Sequence, residues 1–145
     1  MHPLRLAVIG SLPFALALAV PALAQDAVPA PASPHTILVK LVERPGPKPF
    51  AFEPASFSAQ RGDTIRFVQF AATMHNVHFK SVPKGSKLGS AATSPYLTTK
   101  GQAYSVVVDS RFANGTYEIT CDPHELVGMH AFLTVAEPGP VVVRD

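Results

Sequence analysis

Charged residues, tryptophan and cysteine are all scarce in this 145-residue sequence, and each scarcity narrows what the protein can be. Charged residues make up 15% of the chain and the formal net charge is +2, which is too little to indicate a nucleic-acid partner. Tryptophan is absent, and cysteine occurs once, as Cys121. A single cysteine excludes an intrachain disulfide, so this thiol must have another role.

The sequence also lacks any stretch with sustained helical periodicity. Its 15 prolines and 9 glycines separate short runs that are rich in β-branched and aromatic residues. The predicted strands are 36–43, 50–53, 57–59, 64–70, 74–80, 103–109, 115–121 and 129–136. We expect an all-β fold, an antiparallel Greek-key β-sandwich of about eight strands. Residues 81–101 form one long connection that has room for a helical turn.

The first 24 residues have the pattern of a secretory signal peptide. Arg5 precedes an apolar run, and small residues end the pattern at a cleavage site near Ala24. A membrane-spanning helix is the alternative, but the run is short and is interrupted by Gly10 and Pro13. We therefore expect a protein that is periplasmic or otherwise exported, without stable membrane insertion. Its predicted parts are a signal peptide (1–24), a Pro/Ala-rich leader (25–34), one folded domain (35–136) and a C-terminal tail (137–145).

One segment near the C-terminus concentrates groups that bind soft metals. Cys121, His124 and Met129 lie within nine residues, between the end of one predicted strand and the start of the next. Period-two alternation directs Cys121 and Met129 to the inner faces of their strands. Pro123 stiffens the connection and Gly128 relaxes it, so that the His124 imidazole reaches the same space. A thiolate, an imidazole and a thioether are therefore predicted to converge.

A second imidazole comes from an earlier predicted strand, where His75 lies on the same face as Val77 and Phe79. A type 1, or blue, copper site takes two imidazoles and one thiolate near a plane, with a weak axial thioether. Zinc accepts the same atoms but rarely uses methionine. We therefore predict one mononuclear type 1 copper per chain, held by His75, Cys121, His124 and Met129.

Each ligand has a purely structural alternative when it is taken alone. Met129 could be a core residue, Cys121 an inert buried thiol, and His75 a satisfied histidine at the end of a strand. The spacing C-x2-H-x4-M between two strands, together with an upstream histidine, outweighs these alternatives. His78 and His130 lie on the opposite faces of their strands and are expected not to be ligands.

The sequence resembles the plastocyanin-type cupredoxins over residues 36–136. His-Asn-Val at 75–77 is similar to their first-ligand motif and to that of amicyanins, and the segment 115–129 is similar to their ligand loop. The resemblance implies an eight-stranded sandwich with copper near one end and one-electron transfer. It also implies that Asn76 ties the His75 strand to the cysteine loop and hydrogen-bonds near the sulfur. Met74 departs from the usual proline of plastocyanins, and Thr120 departs from their usual tyrosine.

The sequence predicts a soluble electron carrier and not an enzyme. Multicopper oxidases and copper nitrite reductases need further copper sites built across two or more domains, whereas one domain is predicted here. The alternative function is an exported copper-trafficking protein, which would rely on exposed sites rich in Met and His, but the sequence has 3 Met. A metal-free interaction domain would leave the single thiol unexplained.

Partner docking is expected around His124, the predicted ligand nearest the surface. Met74, Leu126 and Val127 would form a small apolar surface there, suited to transient complexes of a monomer. The expected partner is a cytochrome or a membrane-bound electron-transfer complex.

Three lysines, at positions 80, 84 and 87, lie where plastocyanins often carry an acidic patch. Their positive charge favours an acidic or nearly neutral partner.

Overall fold

The computed structural model describes residues 33–136 of the chain. The predicted signal peptide, most of the predicted leader and the predicted tail lie outside the described residues. The strands are β1 (Thr36–Glu43), β2 (Phe50–Glu53), β3 (Ser56–Gln60), β4 (Thr64–Gln69), β5 (His78–Ser81), β6 (Ala103–Val107), β7 (Gly115–Thr120) and β8 (His130–Ala136). Two short 3₁₀ helices, η1 (Gly89–Ala92) and η2 (Asp122–Val127), lie in the connections after β5 and β7.

The strands form two four-stranded sheets, with the orders β2-β1-β4-β6 and β3-β8-β7-β5. Most strands that follow one another in sequence lie in different sheets, and the predicted Greek-key β-sandwich is confirmed. The expectation of purely antiparallel pairing is wrong, because β1 pairs with β4 and β3 pairs with β8 in parallel. In both cases the chain passes through the other sheet and re-enters in the same direction.

The core lies between the sheets because alternate residues of the central strands face inward. Phe67 of the first sheet meets Phe79 of the second edge to face, with ring centroids 6.2 Å apart. Burial of each such side chain stabilises the fold by about 1.5–3 kcal/mol. Fully buried residues of the central strands include Val39, Leu41, Ile65, Phe67, Tyr117, Ile119 and Leu133. The sheets therefore provide a rigid platform for the loops at their ends.

The segment before β5 differs from the sequence prediction of a strand over 74–80. His75 forms an isolated bridge with Leu97, in which each backbone N–H donates to the other residue's carbonyl at 3.1 and 2.7 Å. The Val77 N–H donates to Ser94 Oγ at 2.9 Å. The long connection thus packs against this segment, so its partner is a loop rather than a neighbouring strand. The sequence left room for a helical turn in that connection without placing it, and the structure has η1 there.

A buried carboxylate fixes the beginning of the domain. Asp63 Oδ2 accepts the backbone N–H of Gln60 at 2.8 Å, and Oδ1 accepts that of His35 at 2.9 Å. Burial acts to raise the pKa of Asp63, but these N–H donors outweigh it, and the pKa lies below its ordinary value. Among residues 33–136, no helix has the length and apolar character needed to span a bilayer.

Candidate metal centre

Three of the four predicted ligands lie on the connection between β7 and β8. Cys121 follows β7 directly, His124 lies within η2, and Met129 precedes β8 directly. η2 ends at Val127 and is followed by Gly128, whose φ of 89° is a left-handed conformation that favours glycine. Its backbone N–H donates to the carbonyl of Glu125 at 2.9 Å. The turn at Gly128 reverses the chain and brings Met129 beside the end of β7. There the Cys121 N–H donates to the Met129 carbonyl at 3.3 Å.

The ligand atoms of His75, Cys121 and His124 face one another. Cys121 Sγ lies 3.4 Å from Nδ1 of His75 and 3.4 Å from Nδ1 of His124, and the two nitrogens are 3.0 Å apart. His75, Cys121 and Met129 are fully buried, whereas His124 retains some exposure. Together with Met129, these residues are arranged as a type 1 copper site.

The electrostatics of the site suit a soft metal. Burial lowers the pKa of His75 to about 4, with a further contribution from His124, and burial also lowers the pKa of His124. Both imidazoles are therefore neutral at pH 7, which is the form that binds a metal. Burial raises the pKa of the Cys121 thiol, so the thiol is protonated at pH 7 and must lose that proton to bind a metal. Two neutral imidazoles, a thiol and a thioether that converge at one site form a donor set that selects copper.

Asn76 connects the two segments that carry the ligands. Its side chain donates to Asp122 Oδ2 at 2.6 Å and accepts the Asp122 backbone N–H at 2.8 Å. Its own backbone N–H points at Cys121 Sγ, 3.5 Å away. Asn76 therefore joins the His75 segment to the Cys121 loop, and its backbone N–H dipole is directed at the sulfur.

The sequence did not anticipate an aromatic cover over the imidazoles. Phe50 stacks on His124 with ring centroids 3.9 Å apart and meets His75 edge-on at 5.4 Å. In the sequence, Phe50 is an aromatic residue at the start of a short predicted strand. That position does not indicate which side chains its ring contacts.

The two histidines expected not to be ligands both contact carboxylates. His78 Nδ1 lies 2.7 Å from Asp122 Oδ1, and His130 Nδ1 lies 3.0 Å from Glu118 Oε1. The other ring nitrogen of His130 lies 3.1 Å from the Glu125 carbonyl oxygen. In the described part of the chain, the cluster of His75, Cys121 and His124 is the one group of three or more His, Cys, Asp or Glu ligands close enough for a metal.

The predicted docking residues are exposed next to the ligand loops. Leu126 is 100% exposed, and Met74 and Val127 are 46% and 47% exposed. Lys80, by contrast, forms an ion pair with Glu125, so the cluster of three steering lysines expected from the sequence is reduced.

Comparison with known proteins agrees with this geometry. Residues 39–136 match the family of copper-binding proteins described as plastocyanin/azurin. A plastocyanin from Prochlorothrix hollandica is 34% identical over 73% of this chain and 77% of its own length. A plastocyanin from Vicia faba is 39% identical over 59% of this chain and 87% of its own length.

Solved structures give the same result. A mutant plastocyanin of fern superposes with a TM-score of 0.56 at 26% identity, over 68% of this chain and 99% of that chain. A mutant amicyanin in its Cu(I) state gives a TM-score of 0.53 at 29% identity, over 70% of this chain and 82% of that chain. The chain therefore belongs to the plastocyanin/azurin family of copper-binding proteins, which makes it a blue copper electron-transfer protein.

Proposed function

We propose that this protein is an exported carrier of single electrons that binds one copper through His75, Cys121, His124 and Met129. The observation that carries the proposal is the convergence of one sulfur and two imidazole nitrogens within 3.4 Å in a buried pocket. Copper held by these residues would supply a centre that gains and loses one electron with little rearrangement.

The four ligands differ in their exposure to solvent, and this difference suggests different roles. Burial of His75, Cys121 and Met129 excludes water from the pocket. His124 keeps contact with solvent and is the ligand through which we propose that electrons enter and leave. The buried donors also favour this role over copper trafficking, since a trafficking site must open to exchange its metal.

Docking is proposed at the apolar surface formed by Met74, Leu126 and Val127. Such a surface is small and suits a transient complex with a cytochrome or a membrane-bound electron-transfer complex. Glu125 of the same loop forms an ion pair with Lys80, which offsets one charge at this edge. Hydrophobic contact is therefore proposed to provide affinity, and more distant charges to set the approach of the partner.

The charges outside this surface favour an acidic or nearly neutral partner. Among residues 33–136, each acidic side chain has a hydrogen-bond or ion-pair partner. Lys84 and Lys87, in contrast, are exposed and have no carboxylate within ion-pair distance among those residues. Residues 33–136 hold ten Lys or Arg and seven Asp or Glu, so the formal net charge of this part of the chain is +3.

The test is to add Cu(II) to the purified domain and to record its visible spectrum. We expect one copper per chain and an intense blue absorption that a mild reductant bleaches reversibly. Cys121→Ser should abolish the band, because the band requires copper bonded to thiolate. His35→Gln, which changes an exposed histidine outside the site, is the control and should stay blue. A blue Cys121→Ser variant would show that the ligand assignment is wrong.

A further inference from the structure

The loop 70–74 leads directly into His75 and is anchored at both ends by the backbone. Phe70 and Ala71 donate their N–H groups to the Leu41 carbonyl at 2.9 and 3.1 Å. His75 is fixed by its bridge to Leu97. The start and the end of the loop are thus held by β1 and by the long connection.

The middle of the loop is held by side chains instead. Within residues 33–136, Ala72, Thr73 and Met74 take part in no backbone-to-backbone hydrogen bond, and their side chains are exposed. Glu43 accepts the Thr73 N–H at 2.8 Å and the Ala72 N–H at 3.3 Å. Gln69 Nε2 donates to the Thr73 carbonyl at 2.5 Å. Residues 72–73 are therefore held by two side chains. Glu43 accepts their N–H groups, and Gln69 donates to the Thr73 carbonyl.

Gln69 is a polar side chain in a buried position. It is 1% exposed, and its Oε1 has no hydrogen-bond partner in the described structure. A buried acceptor without a partner costs free energy that an apolar side chain of similar size would avoid. What distinguishes glutamine here is its contact with the loop, which leucine could not make.

Glu43 adds a charge to its hydrogen bonds. The Thr73 hydroxyl and the backbone N–H groups of Thr73 and Ala72 hold the pKa of Glu43 below its ordinary value. Glu43 is therefore ionised at pH 7. Its negative charge stands near the metal site, although its exposure to solvent screens the effect.

We propose that Glu43 and Gln69 are positioning residues, which fix loop 70–74 so that His75 faces Cys121 before any metal binds. This rests on the proposed function, in which His75 is a ligand. Plastocyanins usually have a proline where this chain has Met74, and proline restrains its own backbone. In this chain, hydrogen bonds from two side chains restrain residues 72–73, in addition to the Leu97 bridge that holds the His75 backbone.

The proposal is tested first on the metal-free protein, by hydrogen exchange of the Ala72 and Thr73 amides. Glu43→Ala should raise their exchange rates by about tenfold or more, since each loses its acceptor. Glu43→Gln, which keeps an acceptor oxygen, should restore most of the protection of Thr73. Glu53→Ala is the matched control, because it removes an equal charge from β2 and leaves the loop contacts intact.

The copper-loaded variants then show whether the restraint reaches His75. We expect Glu43→Ala and Gln69→Leu to bind one copper but to shift the blue absorption and its electron paramagnetic resonance spectrum, and to slow electron self-exchange severalfold. Glu43→Gln should keep the wild-type spectrum, with a reduction potential raised by the loss of negative charge.

Two results would overturn the proposal. One is unchanged exchange at Ala72 and Thr73 in Glu43→Ala. The other is faster exchange with wild-type spectra and self-exchange in both Glu43→Ala and Gln69→Leu, which would make the contacts purely structural. A wild-type protein that binds no blue copper would overturn the proposed function, whereas the exchange data on the metal-free protein test the loop contacts independently.

Discussion

The ring of Phe50 lies over the imidazole of His124, with centroids 3.9 Å apart and planes inclined by 33°. The same ring meets His75 edge-on, so one side chain from β2 covers both imidazoles of the site. Stacked aromatic pairs contribute about 0.5–1.5 kcal/mol beyond the burial of their surface. Phe50 thus shields the ligand that is otherwise the most open to solvent.

Removal of this cover should make copper binding more sensitive to acid. Burial lowers the pKa of His124, so Phe50→Ala should raise that pKa toward its ordinary value. Protonated imidazole does not bind copper, and affinity should fall more at about pH 6 than at about pH 8. Chelator competition at both pH values measures this effect. Phe57→Ala, which removes a partly buried ring packed on Phe67, is the control. An equal loss at both pH values would contradict the prediction.

Met129→Leu should keep the blue colour and raise the reduction potential. A weak thioether donor stabilises Cu(II) more than Cu(I), so its loss favours the reduced state. The potential is measured by voltammetry. Met74→Leu changes an exposed methionine and should leave the potential unaltered. If the two variants have the same potential as wild type, Met129 is not an axial ligand.

Asn76→Ala should lower the free energy of unfolding by about 1–3 kcal/mol, because two hydrogen bonds to Asp122 are lost. The variant should still bind copper but release it faster, since the two ligand segments are no longer joined. Urea unfolding and copper transfer to a chelator test both effects. Asn76→Asp should be no better than alanine, because a second carboxylate would then face Asp122. Full stability in Asn76→Asp would refute this account of the contact.

Asp63→Asn should destabilise the fold in a pH-dependent way. The pKa of Asp63 is depressed in the folded state, so its stabilisation is complete above the unfolded pKa of about 3.9 and disappears as pH falls through the folded value. We expect Asp63→Asn to cost about 1–3 kcal/mol at pH 7, since an amide nitrogen cannot accept one of the two N–H bonds. Urea unfolding at several pH values should show this difference shrinking toward pH 3. A difference independent of pH would show that the charge is not involved.

Leu126→Ala should slow electron transfer to every partner, because Leu126 is fully exposed on the ligand loop and is proposed to be buried on docking. Val107→Ala changes a residue that is 46% exposed on β6 and is the control. Stopped-flow kinetics with candidate partners measure the second-order rate constants. Normal rates for Leu126→Ala would place the docking surface elsewhere.

Lys84→Glu should slow acidic partners and speed basic ones, with both effects weakening as salt is added. The same kinetics, repeated over a range of ionic strength, test the sign. If Lys84→Glu has the same rate constants as wild type with both acidic and basic partners, Lys84 plays no part in steering.

Local patterns in the sequence were enough for the strand faces and for most of the ligand set. Alternation along β7 and β8 predicted the buried faces correctly, and the nine-residue segment from Cys121 to Met129 predicted that its ligands converge. These features depend on neighbours along the chain, and the geometry of a strand or a tight turn fixes them within a few residues.

Partners distant in sequence were decided only by the tertiary structure. Asn76 meets Asp122 across 46 residues, and Glu43 reaches Thr73 across 30. The parallel pairing of β1 with β4 and the cover of Phe50 over His124 are of the same kind. Periodicity shows that a side chain points inward or outward, but sheet order and register determine what it meets there. The sequence by itself thus determined the donor atoms and the sandwich. The packing of strands from different parts of the chain determined which side chains hold the ligand loops, which ring covers the imidazoles and which charges lie near the site.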